Sequence, residues 1–174
     1  GQFWHVVFAH HRSLKIMESS NFRPLQSHWP RLYEYARFAE IYAHSDPQTA
    51  AIKLRCFAEV LVGIIYQDLG LPVEPGDGLF ERLQSPDFQD LVGRAIHQKL
   101  HAVRVLGNKA AHGKLINTDD SLYLLEESYL IGQWFYKTYS GDTSGHYPPF
   151  LPPEPATTPA EAPDDLVRQL AEAK

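Results

Sequence analysis

The long apolar stretch over residues 48–69 limits the fold more than any other feature of the chain. Its apolar residues recur three and four positions apart, which is the period of a helix and not of a strand: Ala51, Leu54, Phe57, Ala58, Leu61, Ile64 and Ile65. Asp46 and Pro47 suit the N-cap and the first helical position, and Gly70 and Pro72 interrupt the pattern. So many apolar positions predict a central helix that is buried on more than one side.

The rest of the chain predicts further helices around this one. A helix follows Pro30 and stops near Ser45, with Trp29, Leu32, Tyr33, Ala36, Ala39 and Tyr42 on its apolar side. A short helix over 79–84 and another from Pro86 lead into the segment 94–112. Thr118 or Asp119 then caps a last helix containing Leu122, Leu125, Tyr129, Gly132 or Gln133, and Tyr136. No segment alternates as a strand does, so we expect an all-α fold: an antiparallel four-helix bundle with one or two short extra helices.

The bundle is expected to occupy residues 19–140. Residues 1–18 are interpreted as a tag or flexible N-terminal extension, because Arg12 and Lys15 follow the early apolar run, whereas a signal peptide places positive charge before it. Seven prolines between residues 141 and 163 predict an extended linker that cannot bury a core. Residues 164–174 start a new apolar spacing, which predicts a helix leading to a further domain of a longer protein.

Composition narrows the classes of function. The formal net charge of -5 argues against a general electrostatic grip on nucleic acid, because such binding depends on lysine and arginine neutralising phosphates. Cys56 is the single cysteine, which fits a reducing compartment, so we expect a cytoplasmic protein. No apolar run approaches the roughly 18 to 20 residues that a membrane span needs.

The segment 94–112 carries two stripes of different character. His97, His101, Arg104, Asn108 and His112 follow one another at steps of four, three, four and four, which places them along one side of a helix. Ile96, Leu100, Val103, Gly107 and Ala110 lie on an adjacent side. Gly107, Ala110 and Ala111 would allow a neighbouring helix to approach closely. Gly113 sits where a left-handed residue would end the helix.

Three interpretations of the polar stripe are open. It is a solvated face, or Arg104, Asn108 and His112 form a site for a phosphate or a partner chain, or it holds a metal ion. His97 and His101 have ligand spacing, but no acidic residue or cysteine joins them on that face. Catalytic motifs are scarce: Cys56 lies in an apolar run, where a cysteine is usually inert, and the chain has no phosphate-binding Gly-x-x-x-x-Gly-Lys loop.

Three stretches together resemble a known family. They are Ser20-Asn21-Phe22 followed by Trp29-Pro30, the run 50–59, and the run 100–113 that ends Gly107-Asn108-Lys109-Ala110-Ala111-His112-Gly113. They resemble the N-terminal helical domain of unknown function of EcoEI-type type I restriction enzyme R subunits. The resemblance implies a parent protein that uses ATP and Mg²⁺ to translocate and cut DNA together with modification and specificity subunits. In the interpretation of the polar stripe as a site, Arg104, Asn108, Lys109 and His112 are the candidate binding residues.

The same stretches are similar to HEPN helical bundles, many of which are ribonucleases. The HEPN motif places an arginine four to six residues before a histidine, usually with a polar residue after the arginine. His112 and Asn108 match, but Gly107 stands at the arginine position and Arg104 lies one turn earlier. Arg104 and His112 are therefore the candidate catalytic residues of a degenerate motif that lacks the charge needed to stabilise a phosphorane.

Three functions follow as expectations. The favoured one is a non-catalytic accessory domain of a restriction subunit, which docks subunits, dimerises or lies near DNA. The alternatives are a HEPN-like ribonuclease that uses His112 with Arg104, and a plain homodimerisation module.

Overall fold

The computed structural model describes residues 18–155, and every regular element among them is helical. A 3-10 turn at Arg23–Leu25 precedes five helices: α1 (Pro30–Tyr42), α2 (Pro47–Leu69), α3 (Leu79–Gln84), α4 (Pro86–Ala111) and α5 (Thr118–Tyr139). The predicted all-α class is confirmed, whereas the antiparallel four-helix arrangement stays a prediction. The predictions for residues 1–17 and 156–174 lie outside the described residues.

Helix α2 occupies the centre, as its apolar run predicts. It packs against α1, α3, α4 and α5. The Asp46 carboxylate accepts a hydrogen bond of 3.1 Å from the backbone N–H of Thr49, and Gly70 ends the helix with a left-handed φ of 60°. Leu54, Leu61 and Ile65 are among its fully buried residues.

Helix α4 consists of two segments that meet at Gly93. The backbone of Gly93 has φ 78° and ψ 164°, which is outside the helical region and open in practice only to glycine. The sequence predicts this division, because it places one helical start at Pro86 and a separate amphipathic segment from residue 94. Gly113 has φ 78° and ends the second segment as predicted.

The predicted cap of α5 is wrong by one or two residues. Asn117, rather than Thr118 or Asp119, is the N-cap, and its side-chain oxygen accepts a 2.8 Å hydrogen bond from the N–H of Asp120. The Asp120 carboxylate in turn accepts a 3.3 Å hydrogen bond from the N–H of Asn117, which completes a reciprocal capping box. Three neighbouring residues can each cap a helix, so composition does not decide between them.

The proline-rich segment returns to the bundle. Residues 146–155 form no regular secondary structure, yet Tyr147 and Phe150 pack against the core. We call residues 146–153 the strap. The boundary between domain and linker stays a prediction, but the expectation that this composition buries no core is wrong for the strap. Its two aromatic residues supply the apolar surface that packs against the core.

Candidate functional site

The apolar side of α4 explains how the candidate site is held. Its five predicted residues are all buried: Ile96, Leu100, Val103, Gly107 and Ala110. A Cβ atom placed on Gly107 would lie 2.6 Å from the Cβ of Arg55, so only glycine allows α2 and α4 to come this close. Gln48 of α2 donates a 2.8 Å hydrogen bond to the carbonyl of Ala110. The predicted close approach is confirmed at Gly107 and Ala110, whereas Ala111 is exposed and takes no part.

The first half of the polar stripe is engaged by α3. The Nε2 atom of His97 lies 2.8 Å from the carbonyl oxygen of Leu83, which His97 satisfies at the end of α3. The guanidinium carbon of Arg104 lies 4.9 Å from the ring centre of Phe80, a cation–π contact. His97 and Arg104 therefore fix the short α3 against α4.

His101 and Arg104 form a pair on the outer side of α4. A terminal nitrogen of Arg104 lies 3.4 Å from Nδ1 of His101. Partial burial lowers the pKa of His101, and the positive charges of Arg104 and His97 lower it further. The neutral imidazole can then accept the Arg104 N–H. The Nε atom of Arg104 is buried and has no hydrogen-bond partner among the described residues.

The second half of the stripe is free of such contacts. We call Asn108, Lys109, Ala111, His112 and Leu115 the α4 tip. Lys109, Ala111 and His112 are exposed, Asn108 is half-buried, and Leu115 is 96% exposed. The tip is a defined structure, because Lys114 N donates to Lys109 O at 2.9 Å and Gly113 N to Ala110 O at 3.1 Å. These two bonds form a Schellman motif around Gly113.

The structure does not bring the two candidate catalytic residues together. Arg104 and His112 are eight residues apart on one helix, which separates them by about 12 Å along its axis. The guanidinium of Arg104 is directed to Phe80 and His101 rather than to His112. The arrangement within one chain therefore supplies no arginine–histidine pair for phosphoryl chemistry.

Other reactive groups in the described part of the chain are structural in character. Cys56 is half-buried, and burial together with the nearby Glu59 carboxylate raises the pKa of its thiol, which favours the unreactive protonated form. Residues 18–155 contain no group of three or more histidine, cysteine or acidic side chains placed to hold a metal ion. None of the helices in this range has the length and apolar character needed to cross a bilayer.

A family model described as "Domain of unknown function (DUF4145)" matches residues 37–139. The chain belongs to the DUF4145 family. The match begins in α1 and runs to the last residue of α5, so it includes α4 and its tip but ends before the strap.

A curated protein extends this comparison. The "Type I restriction enzyme EcoKI endonuclease subunit" of Escherichia coli (strain K12) is 27% identical to the DUF4145 chain over 139 residues. The alignment covers 80% of this chain and 12% of that subunit, so the chain spans about an eighth of its relative. No solved structure matches the chain. The predicted resemblance to a type I restriction endonuclease subunit is confirmed, whereas the EcoEI type and the HEPN likeness stay predictions.

Sequence reasoning missed two residues of this region. Phe80 supports Arg104 but belongs to a different helix, so no spacing rule links them. Leu115 follows the helix-ending glycine in a short loop, where periodicity carries no information about exposure. The one indication of its exposure in the sequence was that an isolated leucine follows Gly113 and Lys114 in a loop.

Proposed function

We propose that this DUF4145 domain is a non-catalytic docking module of a type I restriction endonuclease subunit. In this proposal the α4 tip binds the modification or specificity subunit. ATP and Mg²⁺ act in other parts of the endonuclease subunit, outside this domain. The similarity to an endonuclease subunit of such an enzyme supports the assignment, and the absence of a paired catalytic arginine and histidine in the described residues supports a non-catalytic role.

The chemistry of the α4 tip carries the proposal. Leu115 exposes 96% of its surface in the loop after the turn that ends α4, and Ala111 at the end of the helix is exposed as well. Lys109 forms no salt bridge with any residue between 18 and 155, and neither does His112. An apolar anchor surrounded by available polar groups is the composition of a protein–protein interface, with an apolar centre and a polar rim.

A protein partner fits this surface better than DNA does. Binding to a DNA backbone requires several cations acting together, and the chain carries a formal net charge of -5. Two carboxylates, Asp119 and Asp120, lie in the first turn of α5, directly after the loop that holds Leu115. They would repel phosphates near the tip.

The test uses the full-length endonuclease subunit with the double substitution Lys109→Glu and Leu115→Ser. We expect its affinity for the assembled modification and specificity subunits, measured by biolayer interferometry, to fall at least about tenfold, which corresponds to about 1.4 kcal/mol. The matched control is Lys137→Glu with Tyr123→Ser, because both residues are exposed on α5. The control should assemble normally.

Two other results would refute the docking role. Unchanged assembly of the tip variant would exclude the α4 tip as the interface. Weaker DNA binding with normal assembly would assign the tip to nucleic acid instead.

Incubating the domain with structured RNA tests the ribonuclease alternative, and cleavage that disappears in His112→Ala would overturn the non-catalytic assignment. Light scattering that shows a dimer broken by Leu115→Ser would favour homodimerisation.

A further inference from the structure

Hydrogen bonds to the strap's backbone are one of two ways in which the bundle holds the strap. The Asn21 side chain donates from Nδ2 to the carbonyl of Leu151 and accepts from its N–H, both at 2.8 Å. The hydroxyl of Tyr129 donates to the carbonyl of Pro148. Nε2 of His44 lies 2.7 Å from the carbonyl of Pro153, so this nitrogen must carry the proton. These contacts do not depend on the side chains of Pro148, Leu151 and Pro153.

Two aromatic side chains of the strap make the remaining contacts. The ring of Tyr147 lies 5.6 Å from the rings of both Tyr129 and Tyr136, and the ring of Phe150 lies 5.2 Å from Tyr129. Leu151, which lies between the prolines, is 59% exposed. The strap is therefore recognised by its backbone and by two aromatic residues three positions apart.

The surface that receives the strap is ordered by the bundle itself. Asn21 is 2% exposed, and its Nδ2 also donates to Glu40 of α1 at 2.7 Å. The same Glu40 oxygen accepts a 2.8 Å bond from the hydroxyl of Ser19. Tyr129 and Tyr136 lie within α5. The bond to Glu40 orients Asn21 without any contribution from the strap.

Proline content favours an extended ligand. Pro148, Pro149, Pro152 and Pro153 each fix φ near -65° and restrict the residue before them to extended backbone. Grooves for proline-rich segments are lined with aromatic rings and recognise a ligand that has little conformational entropy to lose. We propose that Asn21, His44, Tyr129 and Tyr136 form a recognition groove for extended proline-rich peptides, which the strap occupies in cis as a releasable latch.

One buried group of the strap predicts which ligand the groove would prefer. The hydroxyl of Tyr147 is buried without a hydrogen-bond partner among the described residues. It lies 3.4 Å from the position that a Cβ on Gly132 would take, which is an ordinary contact distance. Burying an unsatisfied hydroxyl disfavours binding. A ligand with phenylalanine at this position should therefore bind more tightly than the strap's own sequence.

The experiment supplies the latch as a separate molecule. The chain with Tyr147→Ser and Phe150→Ser retains the groove but weakens its own strap. A fluorescein-labelled peptide of residues 145–155 should bind this variant and fail to bind the unsubstituted chain, as measured by anisotropy. Adding Asn21→Leu to the variant should weaken binding at least tenfold, and the peptide with Tyr147→Phe should bind about fivefold or more tightly. A peptide with Phe150→Ser is the matched control and should not bind.

Circular dichroism and hydrogen exchange decide the remaining outcomes. The variant should keep its helix content, and the Leu151 amide of the unsubstituted chain should exchange before the amides of α2. Lack of peptide binding at millimolar concentration by a folded variant would overturn the proposal. Loss of helix in the variant, or exchange of the Leu151 amide only on global unfolding, would show that the strap is an integral part of the core and would overturn it equally.

Discussion

Replacing Gly107 by alanine tests the close packing that positions the candidate site. The new methyl carbon would lie 2.6 Å from the Cβ of Arg55 and 3.3 Å from the carbonyl oxygen of Ala51. Carbon atoms in favourable contact are about 3.5–4.0 Å apart, so the two helices must separate by about 1 Å. The Arg55 Cβ is fixed to its backbone and cannot move aside as the end of a flexible side chain can.

Two opposing effects set the size of the change in the free energy of unfolding. Overpacking a core costs about 1–3 kcal/mol, whereas replacing a mid-helix glycine by alanine returns up to about 1 kcal/mol of helix propensity. We therefore expect Gly107→Ala to lower the free energy of unfolding by about 1–2 kcal/mol. For a chain of this size that is a decrease in Tm of about 2–8 °C.

The matched control is Gly63→Ala in the interior of α2. A Cβ at Gly63 would lie 3.4 Å from a terminal nitrogen of Arg82, an ordinary contact with a side chain that can move. This variant should gain up to about 1 kcal/mol. Thermal and urea unfolding followed by circular dichroism measure both. Equal stabilisation of the two variants would refute the argument that Gly107 is required for the approach of α2 and α4.

Three further predictions concern other parts of the chain. Gly113→Ala should destabilise the domain by about 1–2 kcal/mol in urea unfolding, because φ is 78°, and Gly113→Asn should cost less; equal losses would contradict this. Lys99→Met should lower the free energy of unfolding by on the order of 2 kcal/mol, because it leaves the mostly buried Glu127 carboxylate without the lysine that lies 3.0 Å away. Adding Glu127→Gln should restore part of this stability, and additive losses in the double variant would argue against the pair. The hydrogen bond from the Tyr136 hydroxyl is the largest cause, followed by the bonds from Ser144, of the lowering of the pKa of Asp142 from 3.8 to about 2. The stabilising contribution of the Tyr136 bond is therefore present above about pH 4 and is lost as the pH falls towards 2; NMR titration of Tyr136→Phe should show the Asp142 midpoint rise part of the way towards 3.8, and an unchanged midpoint would exclude Tyr136 as a cause.

Local patterns predicted the parts of the fold that depend on nearby residues. The apolar period of α2, the proline at its start and the glycine at its end act over one or two helical turns. The same holds for Gly113, whose position after the last apolar residue of α4 predicts the left-handed end. The small residue at position 107 predicted a close helix approach, because glycine in a helix interior needs a compensating contact.

Local patterns could not predict contacts between residues that are far apart in the sequence. Asn21 and Leu151 are 130 residues apart, and nothing in either segment indicates that they pair. The strap's composition alone is typical of a free linker, so its two aromatic residues gave the only indication of packing. The candidate site shows the same limit. Periodicity placed Arg104 beside His101 and Asn108 on one face, but the contact with Phe80 depends on how α3 folds back.

A site-specific cross-link tests the central claim that the α4 tip is a docking surface. A photoreactive amino acid replaces Lys109 in the full-length endonuclease subunit, and a second preparation carries it at Lys137 on α5. Both are irradiated with the modification and specificity subunits and with DNA present. The account predicts a protein cross-link from position 109 to one of those subunits and none from position 137. Cross-links from 109 to DNA alone, or to no partner in an assembled complex, would contradict it.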